Sequence, residues 1–197
     1  MRRPKALLPL PSGETFLTRI VRTLLDAGVD DVVVVVGHAA EAIVEDFIKS
    51  GLPARFVHNP AYELGQLTSL VAGLNLVDRP GVEAALVTLV DVPLVSAATV
   101  RALVDRYRQT RAPIVRPTNG DRHGHPLLID RTLFEAVRRA DPQAGAKSIV
   151  RANASPQGDI AVDDEGAFAD IDTPSDYEQL VRVNALAVDP PPPTENS

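Results

Sequence analysis

Five consecutive valines, Val32 to Val36, run into Gly37. A β-branched stretch with no polar alternation has no face to offer to water, so it predicts a strand buried on both sides. Helices must then cover both faces, and the flanking segments supply them. Glu14 to Ala27 carries Phe16, Ile20, Val21, Leu24 and Leu25 at helical spacing, with Gly28 as a stop. Further helices are predicted over Ala40–Lys49, Gln66–Val77 and Ala97–Gln109, the last capped by Ser96. Short strands fall between them at Ala54–His58, Ala84–Val90 and Ile114–Val115. Strands alternating with helices at these lengths predict a Rossmann-like, doubly wound, mostly parallel α/β sheet. A hydrophobic fraction of 45% with only 4% aromatics fits such a sheet.

Beyond Pro117 the rhythm loosens. Thr118–Gly124 reads as a polar loop, Pro126–Ile129 as a strand and Arg131–Ala140 as a helix. Ala146–Ala152 is a further helix, Asp159–Val162 a strand and Thr173–Val183 a closing helix. One domain over 1–185 is expected, followed by a disordered tail over 186–197 with four consecutive prolines.

Bulk properties exclude several functions. A net charge of −6 disfavours a nucleic-acid surface, which needs clustered Lys and Arg. The absence of cysteine rules out disulfides and thiolate metal sites. No apolar stretch reaches the ~18 residues of a membrane span, and no signal-peptide core is present, so a soluble cytoplasmic protein without membrane contact is expected.

A few residues stand out as chemistry. Asp91 follows the buried run Leu86–Val90 and is followed by Pro93, which places a carboxylate where open α/β sheets bind ligands. A hard oxygen ligand there suits Mg²⁺ on nucleotide phosphates; an Asp that bonds turn amides is the alternative. Asp170-Ile171-Asp172-Thr173-Pro174-Ser175-Asp176-Tyr177 contains a helix start, with Thr173 as cap, Pro174 first and Asp176 favouring the dipole. That leaves Asp170 and Asp172 unexplained. Asn59-Pro60 is a turn, and Gly65 precedes a helix whose first amides are free to meet phosphate. His123 and His125 have the spacing of a metal pair but no third ligand nearby. Arg116 and Arg122 lie near that loop and suit either an anionic acceptor or solvent. At the N-terminus, Arg3-Pro4-Lys5 stands before Ala6-Leu7-Leu8-Pro9-Leu10, the proline limiting where Lys5 sits.

The run Arg3-Pro4-Lys5-Ala6-Leu7-Leu8-Pro9-Leu10 resembles the end of the signature of the MobA-like NTP transferases, a family that includes molybdenum cofactor cytidylyl- and guanylyltransferases. Val90-Asp91-Val92-Pro93 is similar to its G-D-x-P motif, with valine for glycine, and Asp170–Tyr177 looks like the D-I-D-T-P-x-D-Y element of the cytidylyltransferases. Asn59, Gly65, Ser69 and Gly73 resemble a stretch that leads into a helix near the nucleotide, and Gly124-His125-Pro126 a motif at the acceptor. The resemblance implies a fold of the nucleotide-diphospho-sugar transferase type. It further implies Mg²⁺ on Asp91 and Asp172 with Asp170 as an accessory, and Lys5 and Asp91 in catalysis. Lys5, Asn59, Gly65 and Ser69 would lie on the nucleotide, and His125 on the acceptor. The implied partners are an NTP, CTP by preference, and a phosphorylated acceptor of the molybdopterin type, with a role as molybdoenzyme maturation partner as a further reading. A sugar phosphate or phospholactate acceptor, and a non-catalytic nucleotide-binding homologue, are the alternatives. The signature's glycine-rich half and first strand would precede Met1, which falls on an internal methionine of the signature. Either the native protein carries a further segment upstream or the chain is a shortened homologue with weakened catalysis. A sheet without that strand leaves two neighbouring edges unpaired.

Overall fold

The computed structural model describes residues 3–142 and 145–188. Helix α1 (Phe16–Asp26) starts from Thr15, whose hydroxyl accepts from the Thr18 amide while Thr18 reaches back to the Thr15 amide. Strand β1 (Val33–Val36), helix α2 (Ala40–Ile48) and strand β2 (Arg55–His58) form a parallel unit, with Val33 opposite Arg55 and Val36 opposite His58. Helix α3 (Gln66–Val77) leads to β3 (Ala84–Val87), and α4 (Ala97–Thr110) to β4 (Ile114–Asn119). Strands β5 (Arg122–His123) and β6 (Leu127–Asp130), helices α5 (Phe134–Arg138) and α6 (Lys147–Asn153), strand β7 (Asp159–Ala161) and helix α7 (Pro174–Val188) complete the chain. Of the tail expected over 186–197, residues 186–188 belong to helix α7, and the rest from Asp189 lies outside the described residues.

The second sheet runs in the order β3-β6-β4-β5, with β7 parallel to β4. It is mixed, because β6 lies antiparallel to both β3 and β4. The cause is local: β4 turns back at Gly120 into β5 and then directly into β6, too short a link for a parallel crossover. The segment expected to be a polar loop over Thr118–Gly124 is therefore a hairpin, with Thr118 opposite His123 and Asn119 opposite Arg122. The helix expected over Arg131–Ala140 is a 3₁₀ turn followed by the five residues of α5. Strand β3 leaves its ladder at Val87, opposite Leu127, because Pro126 has no N–H with which to extend it.

Three layers result. Leu17, Ile20, Val21 and Leu24 of α1, with Ile43 and Phe47 of α2, bury one face of β1, and Val35 on the other face meets Gly73 of α3. Farther along, the alternation of strand side chains is clean. Val115 and Leu128 join Leu103 and Tyr107 of α4, while Ile114 and Ile129 join Leu74 of α3 and Phe134 of α5. Among the described residues β1 pairs only with β2, and β3 only with β6, so each keeps one free edge. Side chains join the two sheets: Leu86 of β3 belongs to the same apolar cluster as Val34 and Val36 of β1.

Candidate active site at the carboxyl end of β3

Lys5 is held by the turn it belongs to. Pro4 precedes a single 3₁₀ turn over Lys5–Leu7, in which the Leu7 amide donates to the Pro4 carbonyl and the Leu8 amide to Lys5. Leu7 and Leu8 are buried, and Pro9 accepts a 2.7 Å hydrogen bond from the Tyr177 hydroxyl. With backbone and neighbours pinned, the ammonium group is aimed. It lies 2.6 Å from Asp172 Oδ1 and 3.8 Å from Asp91 Oδ2.

Asp91 stands just past the end of β3, on a turn anchored by the buried Val92 and Pro93. Its carbonyl accepts from the Ile171 amide at 2.8 Å, which brings the Asp170–Asp172 segment alongside. The Asp91 carboxyl has its pKa raised: burial is the main cause, Asp170 and Asp172 add to it, and Lys5 opposes them. Its Oδ1 is buried without a hydrogen-bond partner among the described residues. Asp172 is set by the start of α7, where Asp176 Oδ2 accepts from the amides of Asp172 and Thr173 and Thr173 caps the Asp176 amide. Asp176 thus does more than favour the helix dipole: it orients Asp172.

His125 stands two residues ahead of β6, the partner strand of β3. Its amide donates to the Ala167 carbonyl at 2.8 Å, and Gly124 lies so close to Ala167 and Phe168 that a Cβ there would collide with both. The imidazole pKa is lowered, mainly by burial; Asp170, Asp91 and the Val87 backbone act the other way. Its Nδ1 is buried and unpaired among the described residues, as is Thr88 Oγ1 near the same strand ends. His123 is exposed on β5 and forms no pair with it. Arg116 and Arg122 are already neutralised, by Asp159 and Glu165 respectively, and Arg122 also lies over the Phe168 ring.

Asn59, Gly65 and Ser69 form a second group beyond β2. Asn59 is 4% exposed, and its amide nitrogen donates to Thr68 Oγ1 and Ser69 Oγ while its oxygen accepts from Ala61. Its side chain therefore serves the turn and fixes Ser69, leaving none of its donors facing outward. Gly65 has φ +111° and starts α3, a conformation that suits glycine. Among the described residues no hydrogen bond or ion pair links this group to Lys5, Asp91 or Asp172.

The donor set fits one hard divalent cation. No cluster of three or more His, Asp or Glu side chains with metal-binding geometry occurs among the described residues. Two carboxylates that already share one ammonium group, one of them with an unpaired buried oxygen, nonetheless match a cation whose remaining ligands are water and phosphate.

Helices on both faces of a mixed sheet, with carboxylates and a lysine gathered at a strand end, accord with an α/β nucleotidyltransferase, the class its family match gives. The chain belongs to the MobA-like NTP transferase family, whose domain it matches over residues 1–157. It is 33% identical to the "Nicotine blue oxidoreductase" of Paenarthrobacter nicotinovorans, with 92% of this chain and 88% of that protein covered. It is 28% identical to a "Probable molybdenum cofactor guanylyltransferase" of Mycobacterium avium, over 94% of this chain and 90% of the relative. Among solved structures, the Rv0371c protein of Mycobacterium tuberculosis H37Rv superposes with a TM-score of 0.77 at 28% identity, covering 92% of this chain and 91% of the other. The same protein has also been solved in complex with manganese. No helix among the described residues is long and apolar enough to cross a membrane.

Proposed function

We propose that residues 1–185 form one catalytic unit that moves a nucleoside monophosphate from CTP to a phosphorylated acceptor of the molybdopterin type. The observation that carries this reading is the single ammonium group of Lys5 set between Asp91 and Asp172 at the end of β3. An acceptor phosphate oxygen attacks the α-phosphorus, the bond to the bridging oxygen breaks, and pyrophosphate leaves. Charge builds on the non-bridging oxygens, and fixed cations stabilise it.

Asp91 and Asp172 would hold a divalent cation, Mg²⁺ by preference, which when bound neutralises phosphate charge as a Lewis acid. Lys5 donates to the triphosphate oxygens as a point charge. Gly65 offers the first amides of α3, and Ser69, fixed by Asn59, lines the nucleotide side. His125, neutral and with a free ring nitrogen, accepts or donates one hydrogen bond to the acceptor. The manganese complex of the mycobacterial protein supports a divalent cation, and the relatives named guanylyltransferases support a molybdenum cofactor acceptor. Those names make GTP the competing nucleotide. The oxidoreductase name of another relative points to different chemistry, but the paired carboxylates and lysine favour phosphoryl transfer.

The test is pyrophosphate release from each of the four NTPs with Mg²⁺ and either molybdopterin or a sugar phosphate, in the wild-type chain and in Asp91→Asn. CTP-dependent release that the variant loses is the expected result. GTP-dependent release keeps the reaction and overturns the base, release only with a sugar phosphate overturns the acceptor, and nucleotide binding without release overturns catalysis.

A further inference from the structure

We infer that Lys5 is the resident counter-ion of the cation site, so that the free protein resists a divalent metal until a polyphosphate draws the lysine away. The inference rests on the assignment of Asp91 and Asp172 as the cation's ligands.

Three carboxylates, Asp91, Asp170 and Asp172, interact electrostatically at the end of β3, and Asp91 is held there with one oxygen buried and unpaired. Such a group repels itself unless a positive charge sits within it. Lys5 supplies that charge, and among the described residues it is the basic side chain in ion-pair contact with either Asp91 or Asp172. Arg116 and Arg122, the nearby alternatives, are already engaged with Asp159 and Glu165. The pinned Lys5–Pro9 turn keeps the ammonium group in place, and a lysine side chain can swing without moving its backbone.

A divalent cation and the ammonium group therefore compete for the same two carboxylates. Metal alone must displace Lys5 into water, whereas a triphosphate gives the ammonium group a new anionic partner and frees both carboxylates. Each ligand then strengthens binding of the other, a coupling that is reciprocal by thermodynamic necessity. The contact is autoinhibitory toward metal and selects for metal and nucleotide together.

The probe is Mn²⁺ alone, followed by electron paramagnetic resonance in the wild-type chain and in Lys5→Met, Lys5→Arg and Asp91→Asn. Lys5→Met should bind Mn²⁺ roughly tenfold or more tightly than wild type, while Lys5→Arg, which keeps the charge, should not. Equal affinity in wild type and Lys5→Met, with Asp91→Asn still weakening binding, overturns the counter-ion role and leaves the cation site standing. If Asp91→Asn leaves Mn²⁺ binding unchanged, the site assignment itself fails. A second measurement needs no variant. Reductive ¹³C-methylation keeps lysine charged, and besides the terminal α-amine it labels only Lys5, Lys49 and Lys147 of this sequence. Addition of Mg²⁺ at saturating concentration should shift the Lys5 resonance and leave the other two in place; an unmoved Lys5 signal overturns the inference.

Discussion

The Ile171 amide donates to the Asp91 carbonyl at 2.8 Å, and this bond brings together two acidic segments eighty positions apart in sequence. It lets one side chain, Lys5, touch a carboxylate from each. The site is a meeting of three segments rather than a feature of one, and its parts respond separately to substitution.

Asp91→Asn is expected to abolish pyrophosphate release without loss of melting temperature. The Asp91 pKa is raised in the folded protein above its ordinary 3.8, so its stabilising contribution is complete below 3.8 and is lost as pH rises through the folded value. At pH 7 the ionised carboxylate is a burden on the fold, and the amide should melt at the same temperature or higher. Calorimetry at pH 7 checks this, and a clear drop in melting temperature would show that the charge supports the fold instead.

His125 should stay neutral through physiological pH. Burial lowers its pKa below the ordinary 6.5, so its stabilising contribution is complete above 6.5 and is lost as pH falls through the folded value. In nitrogen-15 NMR the imidazole that disappears in His125→Gln should titrate below 6.5. A midpoint above 6.5 for that ring would refute the reading.

Asp176→Ala should lower activity about ten- to a hundredfold, the usual effect of losing a group that orients a ligand. Its carboxylate accepts from the Asp172 and Thr173 amides, and those bonds hold its pKa below the ordinary range. Asp176→Asn keeps one acceptor oxygen and should recover part of the rate. Equal loss in both variants, with unchanged Mn²⁺ binding, would show that Asp172 is positioned by other means.

Tyr107 is a structural anchor away from the site. Its hydroxyl donates to Asp130 Oδ2 at 2.6 Å and lies 3.0 Å from the Glu83 carbonyl. Burial and Asp130 push its pKa up from 10.0 to about 12, so this contribution is complete below pH 10.0 and is lost by about pH 12. Tyr107→Phe should cost about 1.5–3 kcal/mol at pH 7, the range for a hydrogen bond to a charged group. The difference between variant and wild type should shrink between pH 10 and 12 in urea titrations, and a constant gap would contradict the assignment.

Much of the fold was legible because its elements are locally consistent. The valine run, the apolar stripe of α1 and the Ser96 cap each point to one structure, and α3 spans the predicted Gln66–Val77. The hairpin over Thr118–His123 was not, since its polar residues pair through backbone groups that leave no hydrophobic period. The antiparallel course of β6 likewise depends on the length of a link rather than on side-chain pattern. Asp91 and Asp172 stood out as carboxylates at element boundaries, but their shared contact with Lys5 is a long-range fact that no spacing encodes. Tyr177, which fastens Pro9, was hidden inside an element read as a helix start. Its place four residues after the Thr173 cap was the available signal.

Lys5 and Asp172 are separated by 167 positions. During synthesis the lysine emerges well ahead of its partner, which follows every described strand of both sheets, since β7 ends at Ala161. A chain stopped or clipped ahead of Asp170 retains every described strand but lacks one of the two carboxylates proposed to hold the cation. If that site is the catalytic one, activity in a cell extract would report molecules made past Asp172 rather than merely folded sheets.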